Sequence, residues 1–237
     1  MADRPSAGFE READLQGALA SPEVLGAALD EIGFGGFDRV LARREVPVGG
    51  CIPDLVVVGF AGEPCLDVWP RRRTYRHAYV VSMLRRHGRL RPETIAAKAF
   101  APLDRIRPVL DDLLASGAIC QAESGAVSLS PSLAESDAEV VAVEAKLRRW
   151  REALEQASSY ATFANRVLVA MDAAGAPSTP EALAAFRERG VGLLTVRSGT
   201  VECLVPPRRS SRRADPQWDY LVSSAAAPGP QTLWLKR

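Results

Sequence analysis

The sequence predicts an α/β protein, a mixed central sheet flanked by helices, assembled from two separated stretches of chain. Three observations carry this reading. Alternating strand-like and helix-like segments fill roughly the first 70 residues and resume near residue 138. Between them the texture changes to three short helical patterns and a hairpin. Finally, the run VVAVEAKLRRWREALEQASSY, Val140 to Tyr160, passes from a buried-looking strand that carries two charges directly into a helix.

At 237 residues the chain has room for one large domain or two small ones. Hydrophobic residues make up 47% and charged residues 25%, the balance of a globular protein and not of a disordered or fibrous one. The formal net charge of +1 conceals an asymmetry: from Arg71 to Leu110 there are eleven Lys/Arg against the two acids Glu93 and Asp104, a local +9. That density fits a polyanionic partner, and equally a solvated basic helix face. Cys51, Cys65, Cys120 and Cys203 form no CxxC pair. They read as free, mostly buried thiols in a reducing compartment, not as a zinc site or a disulfide framework. The N-terminal MADRPSAGFEREADLQ lacks an apolar signal core, and no run approaches the roughly 18 apolar residues of a membrane span. The expectation is a cytoplasmic protein with no membrane partner.

Taken in order, positions 9 to 32 read as helix, broken or bent around Ser21-Pro22, with Leu15, Leu19, Leu25, Leu29 and Ile32 at helical spacing; GFGG at Gly33 to Gly36 ends it. FDRVLARREVPV and IPDLVVVGF form two strands around Gly49-Gly50, and PCLDVW a further short strand. Tyr75 to His87, Pro92 to Phe100 and Leu103 to Ser116 are short helices, with Pro102 opening the third. AICQAESGAVSLSP adds two strands about Glu123-Ser124-Gly125. Three helices and a hairpin in this length follow the winged helix-turn-helix order, which assigns residues 71–137 to an inserted domain. A strand at Val140 to Val143 then leads to a long helix, about Leu147 to Asn165, with an apolar stripe from Leu147 and Trp150 to Ala164. RVLVAMD is a buried strand, STPEALAAFRERG a helix capped by Ser178 or Thr179 and stopped by Gly190, and VGLLTV another strand. Residues 1–70 and 138–205 thus make one discontinuous domain. The 206–237 tail, with PPRRSSRRADP and SSAAAPGP, reads as loop or linker.

The charges in the buried strands carry the chemistry. Glu144 and Lys146, at i and i+2, share one face of their strand. Asp54, after Pro53, opens an otherwise apolar strand ninety positions upstream and calls for a partner or a cation. If the two strands are neighbours, Asp54 and Glu144 bring carboxylate oxygens together beside the Lys146 ammonium. Two hard anionic ligands with open positions suit Mg²⁺ or Mn²⁺. The competing reading of Glu144 and Lys146 is an ordinary ion pair on an edge strand. His77 and His87, ten apart, are too far apart for an i, i+4 metal pair and read as solvated or structural.

Pro53-Asp54 followed by Glu144-Ala145-Lys146 resembles the signature of the PD-(D/E)XK nuclease superfamily, whose restriction-endonuclease-like fold presents this trio on a hairpin. The resemblance covers roughly residues 1 to 70 and 138 to 200. It implies Asp54 and Glu144 as metal ligands and Lys146 as the catalytic lysine. Gln156 and Tyr160, four apart on the next helix, look like the Gln-x-x-x-Tyr segment of several family branches. An acidic residue on the first helix often joins such sites; Glu12 is the candidate here, with Glu10 and Glu45 close behind. The departure is spacing, because residues 71–137 separate the Asp from the Glu. Insertion of a domain at the hairpin tip would accommodate this and hold the winged helix over the site entrance. There Arg85, Arg86, Arg89, Arg91, Arg105 and Arg107 could dock nucleic-acid backbone.

The expectation is therefore a Mg²⁺-dependent nuclease hydrolysing phosphodiester bonds in DNA, the winged helix assisting binding. Double-strand cutting by a single-site enzyme would invite a homodimer. The alternatives are a non-catalytic DNA-binding regulator that retains the fold, and a structural module whose winged helix joins protein partners.

Overall fold

Valine-rich runs build the middle of the sheet. The computed structural model describes residues 8–61, 68–71, 73–135, 137–197, 199–211, 215–225 and 232–235. The first two helices are α1 (Glu12–Leu19) and α2 (Pro22–Glu31), and Ser21 separates them by accepting the Val24 N–H as an N-cap. Strands β1 (Arg39–Arg44) and β2 (Leu55–Ala61) follow as an antiparallel pair. Next come α3 (Tyr75–His87), α4 (Pro92–Lys98), α5 (Leu103–Ala115), the hairpin β3 (Ile119–Gln121) and β4 (Val127–Leu129), and the short α6 (Pro131–Ala134). The chain then returns through β5 (Asp137–Lys146), α7 (Trp150–Tyr160), β6 (Arg166–Asp172), α8 (Pro180–Arg189), β7 (Gly192–Arg197) and β8 (Thr200–Val205). It ends in α9 (Pro216–Ala225) and β9 (Thr232–Leu235).

The result is an α/β architecture with a mixed seven-stranded sheet in the order β8-β7-β6-β5-β2-β1-β9. β5, β6 and β7 run parallel, linked by α7 and α8, and the other pairings are antiparallel. β2 and β5 lie at the centre and are buried on both faces; β2 is wholly apolar, and β5 is apolar from Val140 to Val143 with charges toward its two ends. One face carries α1 and α2, packed on Val57, Val141, Val143 and Ala145. The other carries α7, α8 and α9, packed on Val56, Val58, Val140 and Ala142. Gly59 of β2 lets the rings of Phe34 and Phe37 close over the strand; a Cβ there would stand 2.6 Å from the Phe37 ring.

The segment between β2 and β5 packs around an apolar cluster of its own, which runs from Trp69 through Leu84, Ile95, Leu110 and Leu113 to Leu133. Its two connections to the sheet are paired, Ala61 opposite Asp137, while Leu55 and Val143 pair at the far end of the same two strands. The segment is therefore attached at the end of this pair away from Asp54, not beside the site. In an antiparallel pair, an Asp that opens one strand and a Glu-x-Lys that closes the other meet at the end away from the hairpin tip. At ~3.3 Å per residue, the tip is roughly 20 Å along β2 from Asp54.

The tail corrects a second expectation. α9 is ordered helix whose Trp218, Leu221, Val222 and Ala225 enter the core, and β9 pairs with β1. The flanking Pro-, Arg- and Ala-rich stretches hide this i, i+3, i+4, i+7 pattern when the tail is read by composition alone. Smaller differences follow the same logic. β5 is longer than Val140 to Val143, because Ala61 to Gly59 keep pairing with Asp137 to Glu139. α7 is shorter than expected, because Arg149 takes a left-handed conformation before it and Leu147 packs on the opposite face of the sheet. β8 and α6 were not anticipated. Of the strand expected at PCLDVW, Pro64 to Asp67 lie outside the described residues, and Val68 and Trp69 are turn. Cys120 is exposed and Cys51 and Cys203 only half-buried, so these three thiols are less sheltered than expected. Among the described residues no helix is long and apolar enough to cross a membrane.

Candidate active site

The pairing of β2 with β5 brings together the three residues that the sequence separates. Asp54 sits one residue before β2, and its Oδ2 accepts the backbone N–H of Ala145, between Glu144 and Lys146, at 2.7 Å. Its Oδ1 accepts from Gln16 Nε2 of α1, also at 2.7 Å. Gln16 is held in turn by Arg44, whose Nη2 donates to Gln16 Oε1 at 3.4 Å. Glu144 is buried, and its two oxygens are engaged by different groups: the Tyr160 hydroxyl donates to Oε2 at 2.5 Å, and Lys146 Nζ stands 3.2 Å from Oε1. Lys146 Nζ also lies 3.5 Å from Oε2 of Glu12. Three carboxylates thus face one ammonium, and each is fixed by a neighbour from a different element.

The local chemistry follows from that crowding. Burial pushes the Asp54 carboxyl up to about 6; the Ala145 N–H opposes this, the negative charge of Glu144 adds to it, and Lys146 and Glu12 act in opposite directions. Burial disfavours the Lys146 ammonium, but Glu144, Glu12 and Asp54 outweigh it, so its pKa is raised and the charge is secured. Tyr160 is shifted upward, first by burial and then by its bond to Glu144, and remains a neutral phenol donor.

Of the acidic candidates on or near the first helix, Glu12 reaches the cluster through Lys146, whereas Glu10 and Glu45 are exposed. Glu45 touches the site through its backbone, its N–H donating to the Asp54 carbonyl at 3.2 Å. Gln156 and Tyr160 part company: Tyr160 is buried against Glu144, while Gln156 is exposed on α7. The expectation that both lie at the site is corrected for Gln156, whose side chain points to solvent one turn before Tyr160, while the buried face of α7 carries Ala153, Leu154, Ala157 and Tyr160. Gln16 and Arg44 were missed. The signal for Gln16 was available, because Glu12 and Gln16 stand four apart on one face of α1.

Could these residues hold a metal? Among the described residues no three His, Cys, Asp or Glu side chains form a ready cage. The donor set on offer is the carboxylate pair Asp54 and Glu144. It suits a hard divalent ion that keeps several waters, and an added cation would favour the ionised Asp54 carboxylate, which burial disfavours. In that sense the residues fit Mg²⁺ or Mn²⁺.

The arginines of the basic stretch divide. Arg86, Arg89, Arg91, Arg105 and Arg107 are exposed. Arg85 is not on their surface: its Nη2 pairs with buried Asp219 of α9 at 3.2 Å and its guanidinium lies over Trp218, so the expectation that it contacts nucleic acid is corrected. His77 is structural, its ring bonded to Thr74 at the start of α3 and 3.3 Å from Asp112. Comparisons of the chain with protein-family models, with curated proteins and with solved structures find no match.

Proposed function

We propose that the chain is a metal-dependent nuclease of the PD-(D/E)XK type, acting on DNA, with residues 71–137 forming an inserted winged helix-turn-helix domain. One observation carries the reading: the Asp54 carboxylate is seated on the Ala145 N–H, between Glu144 and Lys146, although ninety residues separate them in the chain. An ordinary edge-strand ion pair would not need a third acid from another strand, and β5 is central, not an edge.

Asp54 and Glu144 would hold a divalent ion, which supplies positive charge to the nonbridging phosphate oxygens and lowers the pKa of bound water. The chain's own residues prepare that place. Gln16 and the Ala145 N–H orient Asp54, and Tyr160 orients Glu144. Lys146, fixed between Glu144 and Glu12, presents a secured ammonium to the charge that builds on phosphorus-bound oxygen as water adds and the P–O bond breaks. The products are a phosphate monoester and a free hydroxyl. Five exposed arginines, Arg86, Arg89, Arg91, Arg105 and Arg107, supply charge for backbone phosphates.

The test is incubation of plasmid and single-stranded DNA with Mg²⁺ or Mn²⁺. Wild type is expected to cut, and Asp54→Ala and Lys146→Ala each to lose at least ~100-fold of the rate. Metal-independent DNA binding with no cutting, unchanged by either variant, would instead establish the non-catalytic regulator.

A further inference from the structure

We propose that the groove between the start of α3 and the α4–α5 turn is a stacking site for the bases of unpaired DNA. The inference rests on the nuclease reading for the nature of its partner.

Phe100 is the anomaly that leads to it. α4 ends in a Schellman motif: Ala101 N–H bonds back to the Ala96 carbonyl and Phe100 N–H to that of Ala97. The residue at the centre of this motif takes a left-handed conformation, and Phe100 does so with φ of 48°. Glycine is the usual occupant, because a side chain there is strained. The sequence places a phenylalanine there, and its ring is not buried in compensation: Phe100 is 97% exposed. Neither backbone preference nor folding accounts for a large apolar ring at that position.

What surrounds the ring points to the occupant. Phe100 lines a groove of about 450 Å³ together with Tyr75, Arg76, Tyr79 and Arg105. Tyr75 is exposed and lies against Tyr220 of α9, ring centroids 6.2 Å apart, which steadies that wall. Arg76 and Arg105 are both exposed. Aromatic faces flanked by guanidinium groups match the two parts of a single-stranded nucleotide, a base with a π-face and a phosphate. A second copy of the chain would bring these arginines against their own like charges. A duplex laid along α5 would meet three exposed acids, Asp104, Asp111 and Asp112, whereas a single strand crossing at the start of α5 meets Phe100 and Arg105 with Asp104 as the one acid of that turn.

The test measures binding by the full chain with a chelator present, so that nothing is cut. The probes are a labelled oligothymidine of about 15 nucleotides, its abasic counterpart, the matching duplex and a polyglutamate peptide. Wild type should bind oligothymidine more tightly than the abasic strand. Phe100→Gly should weaken that binding roughly ten-fold and leave duplex binding unchanged. The same variant should raise the melting temperature by about 2 °C, because glycine is at ease in the left-handed conformation. Phe100→Trp should retain binding, and Arg105→Gln should flatten the salt dependence by roughly 0.7 in slope. Equal binding by Phe100→Gly and wild type, equal affinity for the abasic strand, or capture of polyglutamate in place of DNA would overturn the proposal. The two readings fail separately. Phe100-dependent binding without metal-dependent cutting rejects only the nuclease, and cutting with Phe100-independent binding rejects only the stacking site.

Discussion

Of the charge clusters that this molecule takes out of water, the one at the end of β2 and β5 and the one between α3 and α9 are organised in opposite ways. At the end of β2 and β5, Asp54, Glu144, Lys146, Glu12, Gln16 and Tyr160 engage one another so that each oxygen of Asp54 and of Glu144 meets a donor or cation. Between α3 and α9, Arg85 faces Asp219 across a junction in which, among the described residues, Asp219 Oδ2 and Arg85 Nε have no hydrogen-bond partner. The first cluster draws on four elements and includes half-exposed groups. The second is more deeply buried: Asp219 is wholly buried, and burial pushes its carboxyl up to about 7 despite Arg85. A polar network that is fully partnered can hold charged groups poised for chemistry. A sparse buried pair instead specifies where one helix docks on another, at some expense of stability. Here it fixes α3 to α9, beside Arg43 and Arg73, which donate to the carbonyls of Ser224 and Ser223 at the end of α9.

Breaking the junction should produce the larger loss of stability. Arg85→Ala leaves Asp219 buried without its cation and is expected to lower unfolding stability by about 3 kcal/mol or more in urea titration. The pair of changes Arg85→Met with Asp219→Leu should recover most of it, because no charge is then stranded; if the double variant is as unstable as the single, the junction is held by packing around Arg85 and not by the pair.

Breaking one strut of the site should cost less. Tyr160→Phe removes the donor to Glu144 Oε2 while keeping the ring among Phe163 and its neighbours. The expected loss is about 1–3 kcal/mol, read from the same titration, together with weaker cutting at unchanged DNA affinity. Stability equal to wild type would mean that Glu144 is satisfied without the phenol.

The most diagnostic effect is in pH dependence, where the change is spread over about three pH units. With its carboxyl held up at about 7, folded Asp219 keeps a proton that the unfolded chain gives up near its ordinary pKa of ~3.9. The stability that this proton confers is full below about pH 4 and is lost as pH rises through about 7. Asp219→Asn does not titrate, so its stability relative to wild type should improve steadily from about pH 4 to pH 8. Asp54, held up to about 6, titrates alike in both proteins and cancels from the difference. A constant gap across that range would mean that Asp219 is ionised throughout.

Much of the fold was legible because it is local. The Val-rich strands, the break at Ser21-Pro22, the cap expected at Ser178 or Thr179 and found at Thr179, and the Gly190 stop each act within a few residues, and they appear where spacing and turn chemistry put them. α9 was hidden because its apolar stripe is short and lies between stretches whose composition resembles linker. For the site, Asp54, Glu144 and Lys146 stood out as charges in apolar strands, an expense of burial that the letters alone reveal. Gln156 was misread because a helix's periodicity says which residues share a face but not which turn of that face crosses the strand.

What the sequence by itself determined is the strand that must hide two charges, the strand opened by a lone acid, and the basic, helix-rich stretch between them, since burial and periodicity are properties of neighbouring residues. Only the tertiary structure decided that those strands pair, that Arg85 turns inward, and that the inserted segment joins the sheet at the end away from the acids. Strand register and helix docking are settled by contacts between residues far apart in the chain, and no local preference specifies them.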